Sequence, residues 1–286
     1  MSLTLQQAID WAANELHDLD TPRVDAEWLL MHVVQCTRTR LLTHAEQTLT
    51  VQQSEEFKQT IMRRQTGEPV AYITGTRGFW TLDLHVTPDV LIPRADTELL
   101  VEQALALADN QAQLNVADLG TGSGAIALAI ASERPNWSVF AVDSSPAALM
   151  LARKNARINQ VSHIEFYEGN WCDALPSELV LDMVVSNPPY IDAADPHLLS
   201  GDLRFEPMSA LRAAENGLSD LRTLSAQAFV RLKPSGWVLF EHGYNQGPAV
   251  RSLLQQSGFS KIRTIVDHGG QDRVTMGQKV EDSDHE

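Results

Sequence analysis

Asn187-Pro188-Pro189-Tyr190 carries the most specific chemistry in this sequence, directly after the apolar run Met183–Ser186. Pro188 and Pro189 stiffen the backbone and have no N–H of their own. The side-chain oxygen of Asn187 and the carbonyl of Pro188 can therefore accept two hydrogen bonds from one planar NH2 group. Tyr190 can stack on a flat amide or base. A Pro-Pro pair after a strand can also be only a rigid exit turn. What makes this one specific is its company.

Asp118-Leu119-Gly120-Thr121-Gly122-Ser123-Gly124 reads as a strand running into a helix through a glycine turn. Glycines let a ligand approach the backbone, and the helix start adds N–H donors. The spacing is GxGxG, whereas the dinucleotide fingerprint is GxGxxG. Asp143 ends the next strand, nineteen residues after Gly124. A carboxylate there can accept from two ribose hydroxyls, or it can cap the helix that starts at Pro146. Asn170-Trp171 follows the third strand, where Trp171 can cover an adenine ring or simply pack, and Asn170 can accept from the adenine amino group. Cys172 reads as a bystander without an activating partner. Together these residues point to an adenosine-containing cofactor and leave nicotinamide and S-adenosylmethionine both open. A clamp for a planar NH2 at the same edge suits methylation of a conjugated nitrogen. Such a nitrogen is a poor nucleophile, and two fixed acceptors orient it and stabilise the charge it develops. Neither a strong general base nor a metal cluster is legible.

These groups need a sheet to hold them. Strands are expected at Val116–Leu119, Val139–Val142, Ile164–Tyr167, Met183–Ser186 and Trp237–Glu241, with helices near 96–108, 124–132, 146–158, 218–231 and 247–257. Alternation of this kind means βαβ units and a parallel sheet covered on both faces. The end differs: residues 260–277 read as strand, Gly-Gly turn, strand, which places one strand antiparallel. That arrangement resembles the class I methyltransferase sheet, α/β and Rossmann-like, with seven strands and a terminal antiparallel hairpin. Residues 1–75 read as a small all-α domain. Leu5, Ala8, Ile9, Ala12 and Leu16 share one helical face behind a Thr4–Gln7 capping box. Thr21-Pro22 opens a second helix through Val34, and Thr50 caps a third carrying Phe57, Ile61 and Met62. Residues 76–93 read as a linker hairpin, 94–280 as the catalytic domain and 281–286 as an acidic tail.

The chain has 286 residues and a formal net charge of −15. Hydrophobic residues make up 43%, enough for a core, so whole-chain disorder is excluded. The acidity argues against a non-specific nucleic-acid binder. The first ten residues lack the basic and apolar regions of a secretory signal, and no apolar stretch approaches the roughly 18 residues of a membrane span. Cys36 and Cys172 form no CxxC pattern, which excludes a zinc ribbon or disulfide framework and suits a reducing cytosol.

The sequence resembles the HemK/PrmC family, the S-adenosylmethionine-dependent release factor glutamine methyltransferases. The resemblance rests on the helical front domain, IPRADTELLVE, DLGTGSGAIAL, AVDSSPAAL, the Asn-Trp loop, NPPYI and FEHGYNQG. It implies methyl transfer from S-adenosyl-L-methionine to N5 of the glutamine in the Gly-Gly-Gln loop of class I peptide chain release factors, with S-adenosyl-L-homocysteine as product. It implies that Gly120, Thr121, Gly122, Ser123 and Gly124 line the methionine side, that Asp143 binds ribose, and that Asn170 and Trp171 lie by adenine. Asn187, Pro188, Pro189 and Tyr190 would hold the glutamine amide, with Asn187 also near the cofactor. It further implies a front domain that recognises the protein substrate, a cytoplasmic location and a monomer without direct nucleic-acid or membrane binding. This chain departs from the family at Asn170, where many relatives carry Asp, and at Ala95, where a proline is common. Arg94 and Glu98 can position the active-site edge or simply form a helix-surface pair at i,i+4; Glu241 and His242 end a strand at the same edge, and His242 is expected at a solvated strand end.

NPPY also occurs in adenine-N6 methyltransferases of DNA and RNA. Six basic against ten acidic side chains before Thr76 disfavour that reading, because a target-recognition domain should show a basic face. A nicotinamide-dependent dehydrogenase is disfavoured by the glycine spacing and the terminal hairpin. A non-catalytic adaptor is disfavoured by the intact Asn187.

Overall fold

The structure is a computed structural model that describes residues 3–199 and 201–280; the expected acidic tail lies outside them. The chain divides into two compact units.

The first unit holds residues 3–76 and 201–205. Its helices are α1 (Leu5–Glu15), α2 (Pro22–Val34), α3 (Arg38–Thr43), α4 (Val51–Gln65) and α5 (Val70–Thr74). Capping boxes form at Thr4/Gln7 and Thr50/Gln53, as their spacing predicts. Leu5, Ala8, Ile9, Ala12 and Leu16 pack with Leu29, Leu30, Phe57 and Ile61 in one core. Met62 faces solvent, and α4 instead buries Arg64. That cation is tolerated inside because Asp25 lies 2.7 Å from its Nε and Asp202 lies 2.9 Å from Nη1. Segment Gly201–Phe205 thus belongs with the helices although it follows the NPPY motif in sequence.

The second unit holds the hairpin β1 (Thr76–Phe79) and β2 (Leu82–His85), apart from Thr76 itself, and then the α/β sheet. Phe79, Leu82 and Leu84 pack against Leu100 and Val101, so the hairpin is built into this unit's core. The order continues α6 (Glu98–Ala106), β3 (Asn115–Leu119), α7 (Ala125–Glu133), β4 (Ser138–Asp143), α8 (Pro146–Ile158), β5 (Ile164–Glu168) and β6 (Leu181–Ser186). After β6 come β7 (Ile191–Asp192), short 3-10 turns, β8 (Arg212–Ala213), α9 (Ala214–Gly217), α10 (Ser219–Arg231), β9 (Leu232–Glu241), α11 (Gly247–Gln256), β10 (Phe259–Val266) and β11 (Asp272–Lys279).

Seven strands form one sheet in the order β10-β11-β9-β6-β3-β4-β5. Strand β11 is antiparallel to both neighbours, and the pairs from β9 to β5 are parallel. The β3, β4 and β6 residues are almost continuously buried because helices cover both faces. Val116, Val139 and Met183 face α6 and α7, whereas Ala117, Phe140 and Val184 face α10 and α11. The two-residue pair β7–β8 has no periodicity to betray it in sequence. Among the described residues, no helix is long and apolar enough to cross a membrane.

Candidate active site

Parallel strands bring the ends of β3, β4, β5 and β6 to one edge, where open α/β sheets bind ligands. A cavity of about 310 Å³ opens there. Gly120 to Ser123, Asp143, Asn170, Trp171, Asn187 and Pro189 all line it. Residues from the ends of four strands therefore meet in one place, as their motifs predict.

The glycine turn is tied down from below. The N–H groups of Gly120 and Thr121 both donate to the Val142 carbonyl at 2.9 Å. Thr121 Oγ1 donates to Asp118 Oδ2 at 2.6 Å, and the Ala127 N–H donates to the same oxygen at 3.1 Å. Burial pushes the Asp118 carboxyl up to about 7, against these two hydrogen bonds. A Cβ on Gly122 would meet nothing within 4 Å, so that backbone is open to a ligand. A Cβ on Gly120 would lie 3.1 Å from the Trp171 ring, which rests on this bare position. Gly124 differs: it does not line the cavity, and its Cβ would press on Leu128 and Ala152, so it serves helix packing.

Asp143 Oδ2 accepts from the Gly122 N–H at 2.8 Å, and Oδ1 accepts from the Ser145 N–H at 2.9 Å. A carboxylate has further lone pairs, so it retains capacity for ribose hydroxyls. The helix cap is Ser145, which accepts from the Ala148 N–H, and not Asp143. Trp171 packs partly on the sheet core and partly lines the cavity, so packing and ligand cover coexist. Its φ of 49° is a left-handed conformation that a bulky side chain rarely adopts. Burial pushes the Cys172 thiol up to about 12, which keeps it inert.

At the NPPY motif, Asn187 Nδ2 donates to Thr97 Oγ1 at 3.2 Å, which leaves Oδ1 free as an acceptor. Pro188 and Tyr190 do not line the cavity. The Tyr190 hydroxyl donates to Glu241 Oε1 at 3.4 Å, and its carbonyl accepts from Gln246 Nε2 at 3.0 Å. Glu241 and Gln246 both belong to FEHGYNQG, so that late motif braces the NPPY turn. Ser186 Oγ donates to the Leu119 carbonyl at 2.5 Å and joins the two strand ends.

Other expectations change. Arg94 pairs with Glu206 rather than Glu98. Glu98 instead accepts from the Trp80 N–H at 2.8 Å, because the residues around Arg94 are not yet α-helical. His242 is fully buried: its Nε2 lies 2.7 Å from Thr275 Oγ1, because β11 covers the end of β9. Glu241, expected only as a strand end at this edge, is a buried acid behind the motif, and burial pushes it up to about 7. Asp89 and Asp220 line the cavity with Asp143, whereas no Lys or Arg among the described residues does. An acidic wall with an open backbone loop fits a cationic adenosine cofactor such as a sulfonium.

The family description "PrmC N-terminal domain" matches residues 7–75, and "Methyltransferase small domain" matches residues 95–200. A release factor glutamine methyltransferase of Xylella fastidiosa is 52% identical over 256 residues, covering 90% of this chain and 93% of its own. One of Salmonella typhimurium is 48% identical over 276 residues, covering 96% and 99%. The sheet is also similar to a methyltransferase crystal structure from Pyrococcus furiosus, with a TM-score of 0.54 at 16% identity, covering 78% of this chain and 98% of that one.

Proposed function

Because the chain belongs to the release factor glutamine methyltransferase family, we propose that it methylates N5 of the glutamine in the Gly-Gly-Gln motif of class I peptide chain release factors. The methyl donor is S-adenosyl-L-methionine and the product is S-adenosyl-L-homocysteine. The relatives' shared name favours a protein amide over adenine as the acceptor.

One observation carries the reading to this chain's residues: Asn187 gives its NH2 to Thr97 and keeps Oδ1 as an acceptor beside the cavity. Asn187 Oδ1 accepts one proton of the glutamine NH2, and the carbonyl of the adjoining Pro188, outside the cavity lining, accepts the other. The amide is thereby held still, and positive charge developing on its nitrogen meets two negative dipole ends. When bound, the cofactor supplies an electrophilic methyl on a positively charged sulfur. Asp143 accepts from the ribose hydroxyls, Trp171 and Asn170 hold the adenine, and Gly120 to Ser123 leave room for the methionine part. Asp89, Asp143 and Asp220 favour the sulfonium charge. The front unit recognises the release factor, and the enzyme acts as a cytoplasmic monomer.

The test is methyl transfer from labelled S-adenosylmethionine to a purified release factor. Label should enter the wild-type factor and not a factor whose motif glutamine is replaced. Label that is indifferent to that glutamine refutes the reading.

A further inference from the structure

Asn155 is a polar residue buried completely on α8, and its side-chain oxygen and both protons of its NH2 are engaged. Its Oδ1 accepts from the His85 N–H at 2.8 Å, and its Nδ2 donates to the His85 carbonyl at 3.0 Å. The amide thus pairs with the main chain at the end of β2 as a neighbouring strand would. The second proton of Nδ2 goes to the Ser123 carbonyl at 2.9 Å. The orientation is forced, because an amide turned over would set its oxygen against two carbonyls.

Ser123 belongs to the glycine turn that lines the cavity. Two other tethers of that turn are local to the strand ends: the Gly122 N–H donates to Asp143, and the Gly124 N–H donates to the Thr121 carbonyl at 2.8 Å. Neither holds the carbonyl by which the chain leaves the turn. Gly122 and Gly124, on either side of Ser123, have φ of 55° and 87° and no Cβ to restrict them. Their order must therefore come from partners. Helix α8 supplies two: Ala152 lies against Gly124, and Asn155, three residues on, takes the Ser123 carbonyl. The same helix starts beside Ser144 and Ser145 on the cavity wall, so it meets the site at its first turn and again at Asn155.

We propose that Asn155 is a positioning residue for the cofactor. Through the Ser123 carbonyl it holds the glycine turn in the shape that receives S-adenosyl-L-methionine, and through His85 it fastens that turn to the β1–β2 hairpin. This rests on the cofactor reading above and not on the identity of the methyl acceptor. Order imposed in advance on a binding loop is read in affinity, because the free protein has already met the cost of arranging it. General docking of α8 predicts something else. Asn159 also joins α8 to the hairpin, through the Asp83 carbonyl at 3.0 Å, but its hydrogen bonds to Asp83 and Asn155 leave the glycine turn out.

The experiment compares the full chain with its Asn155→Asp, Asn155→Ala and Asn159→Ala variants. S-adenosylhomocysteine affinity is measured by calorimetry, kcat and KM by methyl transfer to a release factor, and amide hydrogen exchange over residues 120–124 in the ligand-free chain. Asn155→Asp keeps the shape but has at most one proton for two carbonyls, and Asn155→Ala removes the same bonds if the acid does not fold. Both should weaken S-adenosylhomocysteine binding by about tenfold and raise KM for S-adenosylmethionine to match, with kcat at saturating cofactor within about threefold of wild type. Exchange over residues 120–124 should quicken by about tenfold. Asn159→Ala should lower Tm while affinity and exchange stay within about threefold of wild type. Unchanged affinity in the Asn155 variants, or an equal loss in Asn159→Ala, overturns the proposal. A wild type that binds S-adenosylhomocysteine but labels no release factor refutes the acceptor reading alone and leaves this comparison intact. A wild type that does not bind it refutes the cofactor reading, and the exchange data then decide whether Asn155 holds the turn. Exchange quickened by the Asn155 variants and not by Asn159→Ala supports that hold, and exchange indifferent to all three overturns it.

Discussion

Gly217→Ala is a severe test of how the NPPY turn is held, because it adds one methyl group at a residue that does not itself line the cavity. Gly217 ends α9 at a φ of +83°, and its Cβ would lie 2.0 Å from the Tyr190 carbonyl oxygen and 2.6 Å from Gln246 Nε2. Ordinary contact begins near 3.4 Å, so 3.4 − 2.0 leaves 1.4 Å to be relieved. Gln246 cannot simply yield. Its Nε2 bridges the Tyr190 carbonyl at 3.0 Å and the Asn216 carbonyl at 3.2 Å, while its Oε1 accepts from the Gly243 N–H at 2.8 Å. The Tyr190 carbonyl must therefore move, and the stiff Pro188-Pro189 pair passes the movement to Asn187. A misplacement of about 1 Å costs on the order of a hundredfold in rate, so kcat should fall by about that factor. Forcing alanine into a left-handed conformation costs about 1–2 kcal/mol, which a domain of ordinary stability survives. The assay is kcat for methylation of a release factor, alongside S-adenosylhomocysteine affinity and Tm. Gln246→Ala removes the bridge without the clash and should cost about tenfold less. A kcat for Gly217→Ala within about threefold of wild type, with the variant folded, would refute the mechanical coupling of α9 to the amide clamp.

Three further outcomes are expected. Asn187→Ala should lose most activity while cofactor affinity by calorimetry stays near wild type; full activity contradicts the clamp. Trp171→Ala should weaken S-adenosylhomocysteine binding by about tenfold, through lost ring stacking over the Gly120 turn, and an unchanged titration assigns the ring to packing alone. Asp118 has a folded value of about 7, above its unfolded one of about 3.9, so its protonated form is favoured in the native state. Its stabilising contribution is intact below about pH 4 and is lost as pH rises through about 7, on the order of a few kcal/mol. Asp118→Asn should therefore gain Tm relative to wild type between acid and alkaline buffers without cofactor; a difference that does not vary with pH refutes the account.

Much of this protein is local enough to be read from its sequence. Helix α8 runs from Pro146 to Ile158 as expected, because a serine cap, a first-turn proline and an apolar stripe all lie within one segment. The Thr4 and Thr50 capping boxes are equally local. The chemistry-bearing motifs were legible because each sits at the carboxyl end of a parallel strand, and the alternation of elements puts those ends on one edge. Residues that act across long sequence distances could not be read in this way. Thr97 reaches Asn187 across 90 positions, and Arg94 forsakes Glu98 for Glu206, 112 positions away. His242 becomes a buried residue only because β11 folds back beside β9. Spacing also could not separate Gly122, which is open to the cavity, from Gly124, which is hemmed in by Ala152 on another helix. Local sequence determined which residues could do chemistry and on which element each stands. Tertiary packing decided which lone pairs remain free, because a hydrogen-bond partner is chosen by proximity in space.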